Sequence, residues 1–247
     1  MRRLLTAEIY RQVTTYAHAW RDTTALLVRS LISLALIAFF CSSLPEPSRE
    51  FLLVSSALTL LVANAIIGAN HEISHYARGD RAAQFFSRGT NPLDWCLAIS
   101  IIQLAIAILL AALGAALFLP IHPPVHPAAT ALGVVSAALI SLLVASLVGL
   151  HSARSGSFRT SSLAIGVVLL FSGMFYPIST LPAAMRAVAF VSPYTYALDL
   201  ARIGYAGGNH SVDPRVSTGA VTLAVLVLTI ALALMRRRAH KGSPYDT

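Results

Sequence analysis

Runs of about twenty apolar residues recur along the whole chain, and that is the length a helix needs to cross about 30 Å of hydrocarbon. They are Ala25 to Leu44, Phe51 to Ala69, Trp95 to Leu119, Ala128 to Leu150, Ser161 to Tyr176 and Ser217 to Met235. Six such runs in 247 residues leave too little polar sequence to clothe a water-soluble domain: 56% of the chain is hydrophobic and 11% charged. Inside a bilayer each backbone N–H and C=O has to be satisfied within its own segment, so the runs are expected as helices. The expected fold class is all-α, a polytopic membrane protein with six transmembrane helices.

The breaks between runs carry Pro, charge and His: Pro45-Glu46-Pro47, the polar stretch His71 to Asp94, His122 to Pro127, and His151 to Arg159. The fifth run is short and stops at Pro177. A moderately apolar stretch, Leu181 to Leu200, comes after it with Pro182 and Pro193 inside. Backbone broken in this way survives at membrane depth only where protein or water satisfies it, so residues 177–205 are expected as an outer re-entrant helical hairpin and not a seventh span. Ahead of the first run, Leu5, Ile9, Val13, Tyr16 and Trp20 recur at helical spacing, with Glu8, Arg11, Gln12, Thr15 and Arg21 elsewhere on the wheel. Residues 1–24 are therefore expected as an interfacial amphipathic helix; a cytosolic extension packed on another domain is the alternative. The transmembrane domain is expected over 25–236 and a cytoplasmic tail over 237–247. No small-residue cleavage site comes after a short apolar core near the N-terminus, so a removable signal peptide is not expected.

Cytoplasmic loops collect Lys and Arg. With both termini inside, fourteen of the eighteen basic residues fall on cytoplasmic segments, and only Arg49, Arg186, Arg202 and Arg215 fall outside. The basic balance thus reflects membrane topology and not nucleic-acid binding. Arg29 lies one turn inside the first run, where its stem can snorkel to the headgroups, and Arg236 to Arg238 close the last run as an anchor beside the lipid surface. Cys41 and Cys96 lie in or at the edge of apolar runs without metal-site spacing and read as packing thiols. Asn64 and Gln103, inside spans, each need a hydrogen-bonding partner; helix packing or a substrate path would supply one.

The most informative stretch lies between Phe171 and Arg202. It holds FSGMFYP (Phe171 to Pro177), Leu181-Pro182, a helix-like segment to Val191, SPYTY (Ser192 to Tyr196), and Asp199 to Arg202. Gly173 permits close helix approach, Pro177 ends the span, and Pro193 divides the segment beyond it into two half-helices. This stretch resembles the signature of the type-2 ABC permease family, in which a Gly-rich end of the fifth span meets a Pro, a re-entrant pair comes next, and a Ser-Pro-x-Thr-Tyr element leads to an Arg. The loop His71 to Asp94 adds to the resemblance: Glu72, Arg78-Gly79, the apolar pair Phe85-Phe86 and Asn91-Pro92 resemble the family's cytoplasmic coupling element, although Gly79-Asp80-Arg81-Ala82 replaces the usual Gly-Thr-Leu-Glu core.

A competing pattern overlaps that loop. His71-Glu72-Ile73-Ser74-His75 fits H-E-x-x-H, which on a helix places two imidazoles for zinc and a Glu as general base, and Leu93-Asp94 faintly echoes the Leu-Asp-Gly element of intramembrane zinc metalloproteases. The pattern fixes only three positions, and a third ligand is not placed with it, so no metal is expected. His122 and His126 flank a Pro-rich turn and read as connection. A phosphate-binding loop needs a Gly-rich turn followed by Lys, and the single lysine, Lys241, lies in the tail. ATP hydrolysis is not expected on this chain.

The resemblance implies a permease subunit of an ATP-driven exporter, working by alternating access, that moves a hydrophobic or amphipathic substrate such as a drug, antibiotic, lipid or glycan out of the cytoplasm. It implies two separate ABC ATPase subunits carrying ATP and Mg, and a second permease copy or paralogue, in a bacterial plasma membrane. Glu72, Arg78, Gly79, Phe85 and Phe86 would couple to the ATPase. Phe171, Met174, Phe175 and Tyr176 would form the gate or path, and Gly173, Pro177, Pro193, Tyr196 and Arg202 the re-entrant motif.

Overall fold

The computed structural model describes residues 45–77, 92–118, 124–155, 177–206 and 212–241, with isolated positions between 6 and 39 and between 163 and 174. Among the described residues the chain is helical, without strands. In chain order the helices are α1 (Glu46–Ala77), α2 (Pro92–Phe118), α3 (Pro127–Ser155), a 3-10 turn (Ile178–Thr180), α4 (Ala183–Val191), α5 (Pro193–Ala206) and α6 (Pro214–Lys241). Four of them contain segments long and apolar enough to cross a membrane: Phe51–Ile73, Leu93–Ala112, Pro127–His151 and Pro214–Met235. These are the second, third, fourth and sixth expected runs. The first, 25–44, lies outside the described residues except for helical Ile32 and Phe39; the fifth is described only at helical positions from Leu163 onward and the turn that ends it. Of the N-terminal helix only Thr6, Ala7, Tyr10 and Thr14 are described, all helical.

Local chemistry explains where the helices begin. Pro127 and Pro214 occupy first-turn positions, where the missing N–H would have no partner anyway. Asp213 caps α6: its Oδ1 accepts from the Arg215 N–H at 2.8 Å, and its carbonyl accepts from Ser217. The polar stretch drawn from His71 is shorter than expected, because α1 continues to Ala77 and α2 resumes at Pro92. No Gly or Pro interrupts residues 71–77, and loss of hydrophobicity marks where lipid ends, not where a helix ends.

The core is built from facing apolar stripes. Leu58, Leu61, Val62 and Ile66 of α1 pack with Ala137 and Ile140 of α3, Ala197, Leu198 and Ala201 of α5, and Val221 of α6. A second cluster at the other end joins Ile73 of α1, Leu93, Trp95, Cys96 and Ile99 of α2, and Leu150 of α3, with Leu232 of α6 against it. The ends of α1 and α3, the start of α2 and the late part of α6 therefore share one end of the bundle. Hence α1, α3 and α6 run in one sense and α2 in the other.

α3 is central, touching α1, α2, α5 and α6. Its closest neighbour is α5, which runs antiparallel to it: Tyr194 lies beside Ser141, midway along α3, and Gly204 lies against Thr130 near its start. A Cβ at Gly133 would sit 2.7 Å from the Ala197 carbonyl oxygen and nearer still to the Ala201 backbone; one at Gly204 would sit 2.8 Å from the Ala129 carbonyl carbon. Absence of side chains at these two positions is what lets the backbones meet. The His126 N–H then donates to the Gly204 carbonyl at 2.6 Å and closes the crossing. α6, by contrast, turns Leu223, Leu226, Val227, Ile230 and Leu234 outward, an apolar face suited to a nonpolar surrounding.

Candidate functional site

The stretch singled out from the sequence folds into a junction where three distant parts of the chain meet. The segment described at 169–171 ends in a turn at Ser172 and Gly173. Gly173 takes φ 73°, a left-handed conformation costly for any residue with a Cβ, and its carbonyl is thereby turned toward α5. Pro177 precedes the 3-10 turn, Pro182 precedes α4, and Ser192 separates α4 from α5, with Pro193 as the first residue of α5. The expected division into two half-helices is thus present, and the two meet around this junction rather than along their length.

Side chains of the Ser-Pro-Tyr-Thr-Tyr element hold the junction. The Thr195 hydroxyl has one proton to donate and faces two carbonyls, Ala189 at 2.6 Å and Ser172 at 3.1 Å. It therefore ties the end of α4 and the Ser172 turn to the first turn of α5. Tyr196 donates to the Phe190 carbonyl at 2.7 Å, capping α4 from the other side. Tyr194 is buried in the core between α3 and α5. Arg186 clamps the preceding turn through the carbonyls of Ser179 at 3.0 Å and Leu181 at 3.1 Å.

Arg202 stands at the centre. It is only 2% exposed, although the charge count assigns it to an outer segment. Its Nη2 donates to Ser55 Oγ at 2.6 Å and to the Gly173 carbonyl at 2.8 Å. Its guanidinium carbon lies 3.6 Å from the centre of the Phe51 ring, and Nη1 lies 3.9 Å from Oδ1 of the fully buried Asp199. That last distance is an ion pair without hydrogen-bond geometry. Ser55 sends its own proton back to the Phe51 carbonyl, at 2.5 Å, which leaves its oxygen lone pairs to accept from the arginine. Phe51 and Ser55 are one turn apart on α1 and so present a single face. A buried cation is tolerated when charge, ring face and carbonyl converge in this way.

Gly173 and Arg202, expected to belong to one motif, bond directly. Pro193 and Tyr196 sit at the adjoining junction. Phe171 is half-buried, and Met174 is enclosed in the core with α1, α3 and α5. Phe175 and Tyr176 lie outside the described residues, as do Arg78, Gly79, Phe85 and Phe86. Glu72 is half-buried near the end of α1, about 25 Å from Ser55 along the helix axis. Phe51, Ser55 and the tie made by Thr195 are not among the residues expected from the sequence. A cluster of hydroxyls inside an apolar run (Ser55, Ser56 and Thr59), and an Asp-Arg pair three residues apart in an apolar segment, are the signals that could have found them.

The H-E-x-x-H pattern does fall on a helix, with His71 exposed, Glu72 half-buried and Ile73 fully buried. Among the described residues no group of three His, Cys, Asp or Glu side chains could hold a metal. The protease reading has no support.

The buried cation, its anchors and the close-packed backbones around it position helices. No curated protein matches the chain. The family described as ABC-2 type transporter matches residues 3–205. With its apolar spanning helices and this helix-positioning junction, the chain belongs to the ABC-2 type transporter family and is a multi-pass membrane subunit of an ABC transporter.

Proposed function

We propose that the chain is the permease half of an ATP-driven exporter for a hydrophobic or amphipathic substrate, with six spans, both termini cytoplasmic, and an outer re-entrant region. The family match carries this reading. The six-span plan is supported by the bundle's polarity: α3 ends beside Trp95 and α6 begins at the opposite end, so the chain between them has to return across the membrane. The re-entrant region is supported by α5 starting midway along α3. Two permease chains and two ATPase subunits assemble, ATP and Mg bind on the ATPase, and its closure drives alternating access. Glu72 on α1 and Arg78, Gly79, Phe85 and Phe86 after it receive that movement. Phe171, Phe175 and Tyr176 line the path at the permease dimer axis, with Met174 supporting them from the core.

The test is affinity purification of the tagged chain from its native membrane, with ATP hydrolysis as readout. The parent chain is expected to bring an ABC ATPase with it. Removing an aromatic anchor costs about 2 kcal/mol or more, roughly thirtyfold in affinity. Phe85→Ala with Arg78→Ala is therefore expected to leave the chain inserted but to lose the ATPase. A double variant that retains the same ATPase complex would move coupling away from this loop.

A further inference from the structure

We propose that Arg202 is a positioning residue for transport: it ties α5 and the Gly173 turn to α1, so that the three move as one body. The proposal rests on the permease reading above.

Apolar helix contacts alone would hold α5 against α3 and α1, and helices so held can slide by small amounts without leaving any polar group unsatisfied. Arg202 removes that freedom between α1 and α5. Its Nη2 is shared between Ser55 of α1 and the carbonyl of Gly173, and its planar head covers Phe51, also of α1. Sliding α1 past α5 by one turn would strip these partners from a cation that is 2% exposed, and neither lipid nor apolar side chains could replace them. Asp199 holds charge beside Arg202 within α5 itself and so steadies the arginine.

α1 makes this tie consequential. It is one helix from Glu46 to Ala77 without an internal Gly or Pro break other than the small residue Gly68 and the first-turn Pro47. Phe51 and Ser55 lie near one end, and Glu72 near the other, where α1 leads into the loop read as the ATPase contact. A shift imposed at Glu72 is therefore delivered to Arg202, and from Arg202 to the turn that ends the fifth apolar segment. Thr195 and Tyr196 extend the same body to α4.

The experiment uses the full chain in its ATPase complex, with Cys41 and Cys96 replaced by Ala, and spin labels at Ile67 of α1 and Val188 of α4, both exposed positions. Labelled chain is diluted with unlabelled chain, and the label distance is measured without nucleotide and after trapping with ATP and vanadate. In the parent the distance peak is expected to stay in place on trapping. Phe51→Leu with Ser55→Ala removes α1's half of the tie while leaving Arg202 its Gly173 and Asp199 partners. In that variant the peak is expected to shift on trapping, with the ATPase still bound. Arg202→Lys keeps the charge but loses the planar fork, and the same shift is expected. A peak that moves on trapping in the parent, or that stays fixed in both variants, overturns the proposal. Loss of the ATPase from the parent complex would instead sink the permease reading, and it is seen before any label is read.

Discussion

Gly133→Ala adds one methyl group where α3 and α5 cross, and the structure fixes both the sign and the scale of the result. The new Cβ would lie 2.7 Å from the Ala197 carbonyl oxygen and closer to the Ala201 amide, backbone atoms that cannot rotate away as a side chain can. Forcing a methyl group into a packed interface costs about 1–3 kcal/mol, and rigid neighbours place this case near about 3 kcal/mol. Replacing Gly by Ala inside a helix returns about 1 kcal/mol of backbone entropy. The net loss is about 2 kcal/mol, which for a chain of this size lowers the thermal midpoint by about 4–8 °C. Gly219→Ala is the internal control, since a Cβ there meets nothing within 4 Å. It keeps the helix-propensity gain without the clash and is expected to raise the midpoint by about 2–4 °C. The assay is fluorescence-detected thermal unfolding of the purified chain in detergent. Equal midpoints for the two variants would refute the argument that the Gly133 crossing sets how closely α3 and α5 approach.

Two further outcomes concern topology and the Gly173 turn. Single-cysteine reporters at Ser48 and His210 are expected to react with an impermeant reagent from outside, and those at Ser155 and Ser243 only from inside; outside labelling at Ser155 would break the six-span plan. Gly173→Ala imposes a side chain on a residue at φ 73° and is expected to cost about 1 kcal/mol or more, read as a midpoint about 2–4 °C lower; an unchanged midpoint would mean that the turn relaxes freely.

Elements whose cause is local are legible in the sequence. Four of the apolar runs form spanning helices because length and hydrophobicity are sufficient for that, and Pro193 opens a new helix because a proline's missing N–H is harmless there. Arg202 is legible as a member of the re-entrant motif, but its neighbours in sequence do not say that it bonds to Ser55, 147 residues away, or to Gly173, 29 residues away. Gly173 reads as a helix-approach residue, whereas its left-handed turn, which aims a carbonyl at the arginine, depends on a partner in another helix. Glu72 reads as loop because hydropathy has fallen there, yet its backbone remains helical. Thr195 is recognisable as part of a motif, but its double reach to Ala189 and Ser172 exists only once α4 and α5 meet.

The remoteness of Ser55 from Arg202 also orders the making of the protein. At a ribosomal rate of about 5–20 residues per second, the 147 residues between them take on the order of 7–30 s to synthesise. Phe51 and Ser55 are thus in the membrane well before the arginine that needs them leaves the ribosome. Until Arg202 emerges, Ser55 is occupied only by its own helix's carbonyl, a state that hydrocarbon tolerates. Arg202 has Asp199 of its own helix beside it in the interim, but the ring of Phe51 and the hydroxyl of Ser55 reach it only once α5 packs against α1. The final burial of α5 is therefore a late step of biogenesis, gated by a contact whose other half was laid down first.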